Sequence, residues 1–315
     1  MTLFVYDYEF NLLLAETGII KSRWVVYYND VGTFEVHLPI TSELTKIVSE
    51  NPYLVVKQHG LSAIIVGKEL GDELVLYGRT CNWLLSKRIT EKVDKENVYA
   101  GSVVQEMVED AFSDVSNFTI STIHGENRVD FEYRQSKTLD AVRECLKLSN
   151  LGHELCFNEK TKNWEFNVFQ GAERDLILSE AHRNAYDTKI SSDILDLATC
   201  GVYNKKTSSG YTSTKITGDA EKKGIYRWET MLSGETANEA KMDLGKFAEK
   251  NKISMTTDEI LWKRDYGLGD IVRLQIIKGA YKKTERKRIS GVEITTRQGE
   301  YSEQPIFEQT KGKEV

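Results

Sequence analysis

The stretch that most limits what this chain can fold into is Ser22–Pro39, SRWVVYYNDVGTFEVHLP. Trp24, Val26 and Tyr28 alternate with Arg23, Val25 and Tyr27. After a short break, Phe34, Val36 and Leu38 alternate with Glu35 and His37. A period of two is the signature of strands with one face buried. Asn29, Asp30 and Gly32 between the runs tolerate the backbone angles of tight turns. Pro39 has no N–H to give a ladder, so the second strand is expected to stop there or lie on an edge. The reading is an antiparallel hairpin packed on a core.

Similar text fills the first ~90 residues: LFVYDYEFNLLL, YLVVKQHGLSAIIVGKEL and DELVLYGR, punctuated by Gly60, Gly71 with Asp72, and Gly78. Fifteen tyrosines with many Thr and Val also favour β structure. An antiparallel sandwich or barrel is expected. At 315 residues the chain has room for about two domains.

After NWLLSKRIT the period shifts from 2 to 3.6. Ser102 and Gln105 have the spacing of a capping box, ahead of a face made of Val103, Val104, Met107, Val108, Ala111 and Phe112. A second helix is expected from Thr138, with Leu139, Val142, Cys145 and Leu146 together, ending at Gly152 in a left-handed cap. A hairpin follows, in which Leu155 and Phe157 face Trp164, Phe166 and Val168. Further on, KKTSSGYTSTK has the composition of a mobile surface loop. A third helix is expected from Thr236, capped with Glu239, before a return to strands.

Catalytic constellations are hard to find. His124 and His153 belong to no His-Glu-x-x-His or His-x-His arrangement, and His37, His59 and His182 lie in strand or loop text. Cys81, Cys145, Cys156 and Cys200 form no Cys-x-x-Cys pair, which argues against a zinc ribbon and for reduced thiols in a cytoplasm. Cys145 falls on an apolar helical face, the setting of an inert thiol. Glu106, Glu109 and Asp110 oppose the apolar stripe, where solvated charges belong. Ser208-Ser209-Gly210 lacks the apolar strand a nucleophile elbow needs, and the glycines of YGLGDIV precede a strand rather than a helix.

A formal net charge of −6 gives no broad footprint for nucleic acid. The run Lys282, Lys283, Arg286, Lys287 and Arg288 reads as a solvated turn and strand face. No secretory leader pattern opens the chain, and no apolar run approaches the ~18 residues of a membrane span. No catalytic residue, cofactor or metal ligand is therefore assigned.

VYDYEFNLL, SRWVVYYNDVGTFEVHLP, LYGRTCNWLLSKRI, SNLGHELCFN and DYGLGDIVRLQ with RKRISGVEI occur in this order. Together they resemble a family of siphophage tail-tip proteins, the baseplate hubs, similar in fold to the central hub of contractile phages. The resemblance runs from about residue 1 to 310. It implies a mixed, β-rich α+β protein with two β-barrel-like hub domains and a small inserted helix-hairpin module. One barrel is expected from residues 1–95 completed by about 185–215, the inserted module from 96–184, and the second barrel with one helix from 216–315. On matching positions, Trp24, Gly32, Phe34, Glu35 and Pro39 fit the first hairpin, and Gly78, Arg79 and Arg88 the strand-to-helix crossing. Asp265, Tyr266, Gly269 and Asp270 fit the late turn. Most are expected to determine the fold, with Arg79 or Arg88 as candidates for pairing between protomers.

The resemblance further implies a homotrimeric, non-enzymatic ring at the virion tail tip, assembled in the bacterial host cytoplasm. Its partners would be distal tail or tube proteins above and receptor-binding or fibre proteins below, with phage DNA passing through the channel and no insertion into a membrane. The alternatives are a tail-associated peptidoglycan hydrolase or endopeptidase, and a glycan-binding receptor protein. The ending EQTKGKEV is expected to leave such functions to another subunit or to dock one.

Overall fold

The structure is a computed structural model. It describes residues 2–40, 42–217, 223–234, 237–257, 259–297, 300–308 and 310–311. The chain divides into two compact units, residues 1–186 with 256–306 and residues 187–255 with 307–315.

The larger unit opens with β1 (Leu3–Asp7) and β2 (Leu12–Glu16), then the hairpin β3 (Lys21–Tyr27) and β4 (Thr33–Leu38). Trp24 lies opposite Phe34 and Arg23 opposite Glu35. The alternation has the expected consequence, since Trp24, Val26, Phe34, Val36 and Leu38 are buried while Arg23 and Glu35 are exposed. β4 stops one residue before Pro39. A helix α1 (Ser42–Glu50) follows that the strand-like reading of this region passes over. Leu44 and Val48, one turn apart, are its buried anchors. β5 (Leu54–Gln58), β6 (Leu61–Leu70) and β7 (Leu74–Thr80) then rejoin the sheet.

A 3-10 turn over Cys81–Lys87 leads to β8 (Ile89–Thr90), β9 (Val93–Tyr99), α2 (Ala100–Ala111), β10 (Phe118–Ser121), β11 (Arg128–Tyr133), β12 (Ser136–Lys137) and α3 (Thr138–Leu148). The hairpin β13 (Gly152–Asn158) and β14 (Asn163–Phe169) pairs Leu155 with Phe166 and Phe157 with Trp164, the facing arrangement expected from the sequence. This segment is not a separate body. Val104, Met107, Val142, Cys145, Phe157 and Phe166 share one core with Tyr6, Phe10, Val55 and Ile64 of the opening strands.

Two details of the helices differ from expectation. α2 starts at Ala100, so Ser102 lies inside the first turn and caps nothing; its hydroxyl meets His124 Nδ1 at 2.9 Å, and the Gln105 amide donates to Glu109. After α3 the left-handed residue is Asn150, φ 53°, while Gly152 already belongs to β13. Asparagine supports that conformation through its short polar side chain.

β15 (Glu173–Ser179) is followed by β16 (Ala185–Asp193), β17 (Cys200–Thr207), β18 (Gly210–Thr217), β19 (Glu229–Met231), α4 (Ala237–Leu244) and β20 (Lys250–Thr257). The expected mobile loop KKTSSGYTSTK is instead a regular hairpin: β17 and β18 pair from Cys200–Thr217 to Thr207–Gly210 around a turn of Ser208 and Ser209. Its Thr-rich text is strand-forming, and period-2 polarity hides strands exposed on both faces. Tyr203, Leu232, Ala240 and Leu244 form the small core of the second unit. Thr236, expected to cap its helix, lies outside the described residues, as do Gln309 and residues 312–315 of the C-terminal tail.

β21 (Ile271–Lys278), β22 (Tyr281–Arg297), β23 (Glu300–Phe307) and β24 (Thr310–Lys311) complete the chain. The main sheet has eleven strands among the described residues, ordered β15-β21-β22-β3-β4-β7-β6-β5-β1-β2 with β23 beside β22. Its pairings trace an open path with β15 and β2 at its ends, and no closed barrel is seen among the described residues. β3 is extended by β22, with Ile294 opposite Trp24, and not by strands of 185–215. β16 lies instead in a sheet with β20 and β24, and β17 between β18 and β19. Sequence periodicity specifies a buried face and is silent on which strand lies alongside.

Candidate functional site

His153, Cys81 and Cys145, weighed for chemistry, sit in the packed interior, although His153 Nε2 has no hydrogen-bond partner among the described residues. His153 is fully buried beside Phe166, and its Nδ1 lies 2.8 Å from Asn29 Oδ1. Burial, aided by the nearby Arg143 charge, lowers it to about 3 and keeps the ring neutral. Cys145 is buried with its sulfur 3.7 Å from the Ala100 carbonyl, and burial pushes its thiol up to about 12. Cys81 is likewise pushed up to about 12 by burial, and desolvation also raises Cys156. Such thiols hold their protons and are poor nucleophiles.

Glu106 pairs with Lys95 at 2.7 Å on the surface. His37 lies between Glu73 and Glu35, each 2.8 Å from a ring nitrogen. Among the described residues no group of three His, Cys, Asp or Glu side chains is arranged to hold a metal ion. The basic run lies on β22, where Lys283 and Lys287 pair with Glu285, and Arg286 with Glu173 at 2.8 Å.

The expected fold-determining residues gather at two places. At the first, the Trp24 and Phe34 rings stack with centroids 5.1 Å apart, and the indole N–H donates to buried Gln58 Oε1 at 2.6 Å. Gly78 passes beneath, where a Cβ would stand 1.9 Å from the Ile64 carbonyl oxygen. On the opposite side of the same strands, Arg23, Glu35, Val66, Tyr77 and Arg79 line a shallow concavity of about 400 Å³. Arg88 lies elsewhere, 2.9 Å from Asp114 and over the Phe112 ring, so its charge is engaged within its own chain.

The second place is a junction centred on Tyr28 and Asp270. The Tyr28 hydroxyl donates to the Asn150 carbonyl at 2.7 Å and accepts the Gly171 N–H at 3.2 Å. Its ring is covered by the Arg288 guanidinium, 5.6 Å from the centroid, and burial raises the phenol. Asp270 is 3% exposed and accepts three hydrogen bonds: from Ala172 N–H at 2.7 Å, Gly267 N–H at 2.7 Å and Arg174 Nε at 2.6 Å. A buried carboxylate is tolerated only when its lone pairs are satisfied in this way.

Gly269 adopts φ 83° and touches the Tyr28 ring, so both its angle and the space forbid a side chain. The loop before it holds Tyr266, buried at 2% exposure, and Asp265, whose carboxylate accepts the Leu261 N–H at 2.7 Å and is held low by Arg264. Sequence reasoning singled out Gly269 and Asp270 and missed Tyr28, Arg174 and Arg288 as their partners. Only Tyr28 carried a signal, as the last inward residue of the opening strand.

This two-ended, strand-built unit has counterparts. A siphovirus family, the Siphovirus ReqiPepy6 Gp37-like proteins, matches residues 2–307. The chain belongs to that family. Among curated proteins none matches it by sequence.

Solved structures extend the relationship to the fold. A tail protein from Neisseria meningitidis MC58 is 10% identical, with a TM-score of 0.59 over 98% of this chain and 96% of its own. The prophage tail protein gp18 from Listeria monocytogenes EGD-e is 13% identical, with a TM-score of 0.57 over 99% and 96%. A chain of the Francisella PdpA-VgrG complex is 9% identical, with a TM-score of 0.51 over 98% of this chain and 52% of that one. This Gp37-like chain therefore has the β-rich fold of phage and prophage tail proteins, with few helices.

Proposed function

We propose that this Gp37-like chain is a structural component of the phage tail tip, a hub that closes the end of the tail tube. Three copies form a ring that joins the distal tail proteins to receptor-binding or fibre proteins and leaves a channel through which DNA passes. The observation that carries this reading is the family match over residues 2–307, together with a fold shared end to end with tail proteins. The local chemistry agrees with a building role, since the histidine and thiols weighed as catalytic are held neutral in the core.

In this reading the paired centres at Trp24–Phe34 and Tyr28–Asp270 are fold determinants of the larger unit. Assembly proceeds in the host cytoplasm and the finished protein resides in the virion. Light scattering of the purified chain with electron microscopy of the same sample tests the proposal. The expected result is a mass near three times 36.0 kDa with ring-shaped particles, and labelling of the tail tip in virions by an antibody to this chain. Labelling confined to another part of the particle would overturn it. Cell-wall hydrolysis by the purified chain, abolished by a single substitution, would overturn its non-enzymatic part.

A further inference from the structure

The main path of the sheet, apart from β23 beside β22, ends at two strands that treat their free edges differently. At β15 the Asn184 amide acts as a neighbouring strand: its Oδ1 accepts the Ser179 N–H at 2.9 Å and its Nδ2 donates to the Ile177 carbonyl at 2.8 Å. At β2 no such cover is present among the described residues. β2 reads Leu12-Leu13-Leu14-Ala15-Glu16, pairs with β1 on one side only, and leaves Leu12 53% exposed. Lysine and proline commonly blunt free edges. Residues 1–20 contain neither, no arginine, and three acids, Asp7, Glu9 and Glu16.

A second open edge lies on the same unit. β22 pairs with β21 through residues 281–288 and with β3 only through residues 291–297. Tyr281, Lys282, Lys283 and Thr284 are exposed and pair with β21, while β23 meets β22 further along, where the Ser290 hydroxyl donates to the Ile306 carbonyl at 3.1 Å. Among the described residues the far side of 281–284 is the edge left over. The sequence of this hairpin is the charge opposite of β2, although within the chain Arg273 and Arg286 pair with Asp175 and Glu173 of β15, Lys278 with Glu180 just after it, and Lys283 and Lys287 with Glu285. Residues 271–288 hold seven Lys or Arg, at 273, 278, 282, 283, 286, 287 and 288, against the single acid Glu285. Lys282 has no ion-pair partner among the described residues, and the hairpin tip also exposes Ile277 at 46% and Tyr281 at 42%.

We propose that two copies of this chain join edge to edge, the acidic, apolar β2 of one adding as a strand to the basic Tyr281–Thr284 edge of the next. Backbone hydrogen bonds supply the attachment, the apolar residues the burial, and the opposite charges the choice of partner and direction. Because the two edges differ, the contact is head to tail, and it closes a ring when the rotation between copies allows. This deepens the hub reading and rests on it for that closure. The register shift between Leu12 and Leu14 leaves Leu14–Glu16 as the straight part of β2, so the added ladder is short. A short ladder guided by exposed charges is weak and salt-sensitive.

The test is sedimentation of the full chain across concentration at low and high salt, comparing wild type, Glu9→Lys with Glu16→Lys, Lys282→Glu with Lys283→Glu, and all four together. Thermal melts establish that each variant folds, and Lys282→Glu alone provides a reversal at a side chain with no partner to lose. The proposal expects self-association that salt weakens, a loss of about tenfold or more in affinity for either pair of reversals, and recovery when they are combined. Trimers that persist unchanged through both reversals would overturn the edge contact while leaving the hub reading standing. A wild-type chain that stays monomeric at every concentration yet labels the tail tip would do the same. Failure of the tip labelling itself would remove the hub reading, whatever the reversals show.

Discussion

Gly269 rests against the ring of Tyr28 so closely that a Cβ on the glycine would stand 2.2 Å from the tyrosine Cε2. Two segments more than two hundred residues apart in sequence are thereby locked together, and the glycine's φ of 83° adds a second constraint. Gly269→Ala is expected to cost about 1–3 kcal/mol from overpacking, increased by the strained angle. Tyr28→Phe keeps the ring and removes only the hydroxyl bonds, at about 1–2 kcal/mol. Denaturant titrations of the two variants check this order, and a Gly269→Ala chain as stable as wild type would contradict it.

Asp270 gathers three donors from two segments, so Asp270→Ala leaves Ala172 and Gly267 N–H groups without their acceptor. The expected loss is about 2–4 kcal/mol. Arg174→Ala removes one donor whose side chain is 49% exposed and is expected to cost under about 1 kcal/mol. Equal melting temperatures for the two variants would show that the carboxylate is not the organising group.

His153 makes stability depend on pH. It is neutral in the folded chain, lowered to about 3, whereas an unfolded histidine titrates near 6.5. Below about pH 6.5 the unfolded state therefore binds a proton that the folded state refuses. Stability falls by up to roughly 1.4 kcal/mol per pH unit until the folded group titrates near 3. His153→Gln keeps an amide donor toward Asn29 and is expected to flatten this part of the profile. An unchanged slope between pH 6 and about 4 would assign the acid sensitivity to other groups.

The thiols provide a test of core integrity. Cys81 and Cys145 are buried and pushed up to about 12, so the native chain is expected to react slowly with an aromatic disulfide reagent near neutral pH. All four cysteines should react once guanidinium unfolds it. Rapid modification of Cys145 in the native state would show that the α2–α3 core opens readily.

Much of the local architecture was legible because it depends on neighbouring residues. The alternation in β3 and β4, the stop before Pro39, the α3 start at Thr138 and the β13–β14 facing pairs all follow from period and turn chemistry. Local rules also misled. The Ser102–Gln105 spacing looked like a cap, but the helix begins three residues earlier, with Tyr99 in the capping position. Gly152 was read as a helix cap, when what excludes a side chain there is the nearby Tyr28 ring, which no local pattern reveals.

The sequence by itself determined that this chain is β-rich, where its opening hairpin lies, and which side chains face inward, since a period of two needs no partner to be recognised. The order of its family-like segments also pointed to a tail protein. Only the tertiary structure decided that β22 extends the opening hairpin, that the helical segment shares the core of the N-terminal strands, and that Tyr28, Arg174 and Arg288 surround Gly269 and Asp270. The Arg174–Asp270 contact joins residues 96 positions apart and the β22–β3 pairs residues 264 to 276 apart, where strand alternation is the same for every candidate neighbour and only packing and hydrogen-bond closure choose among them.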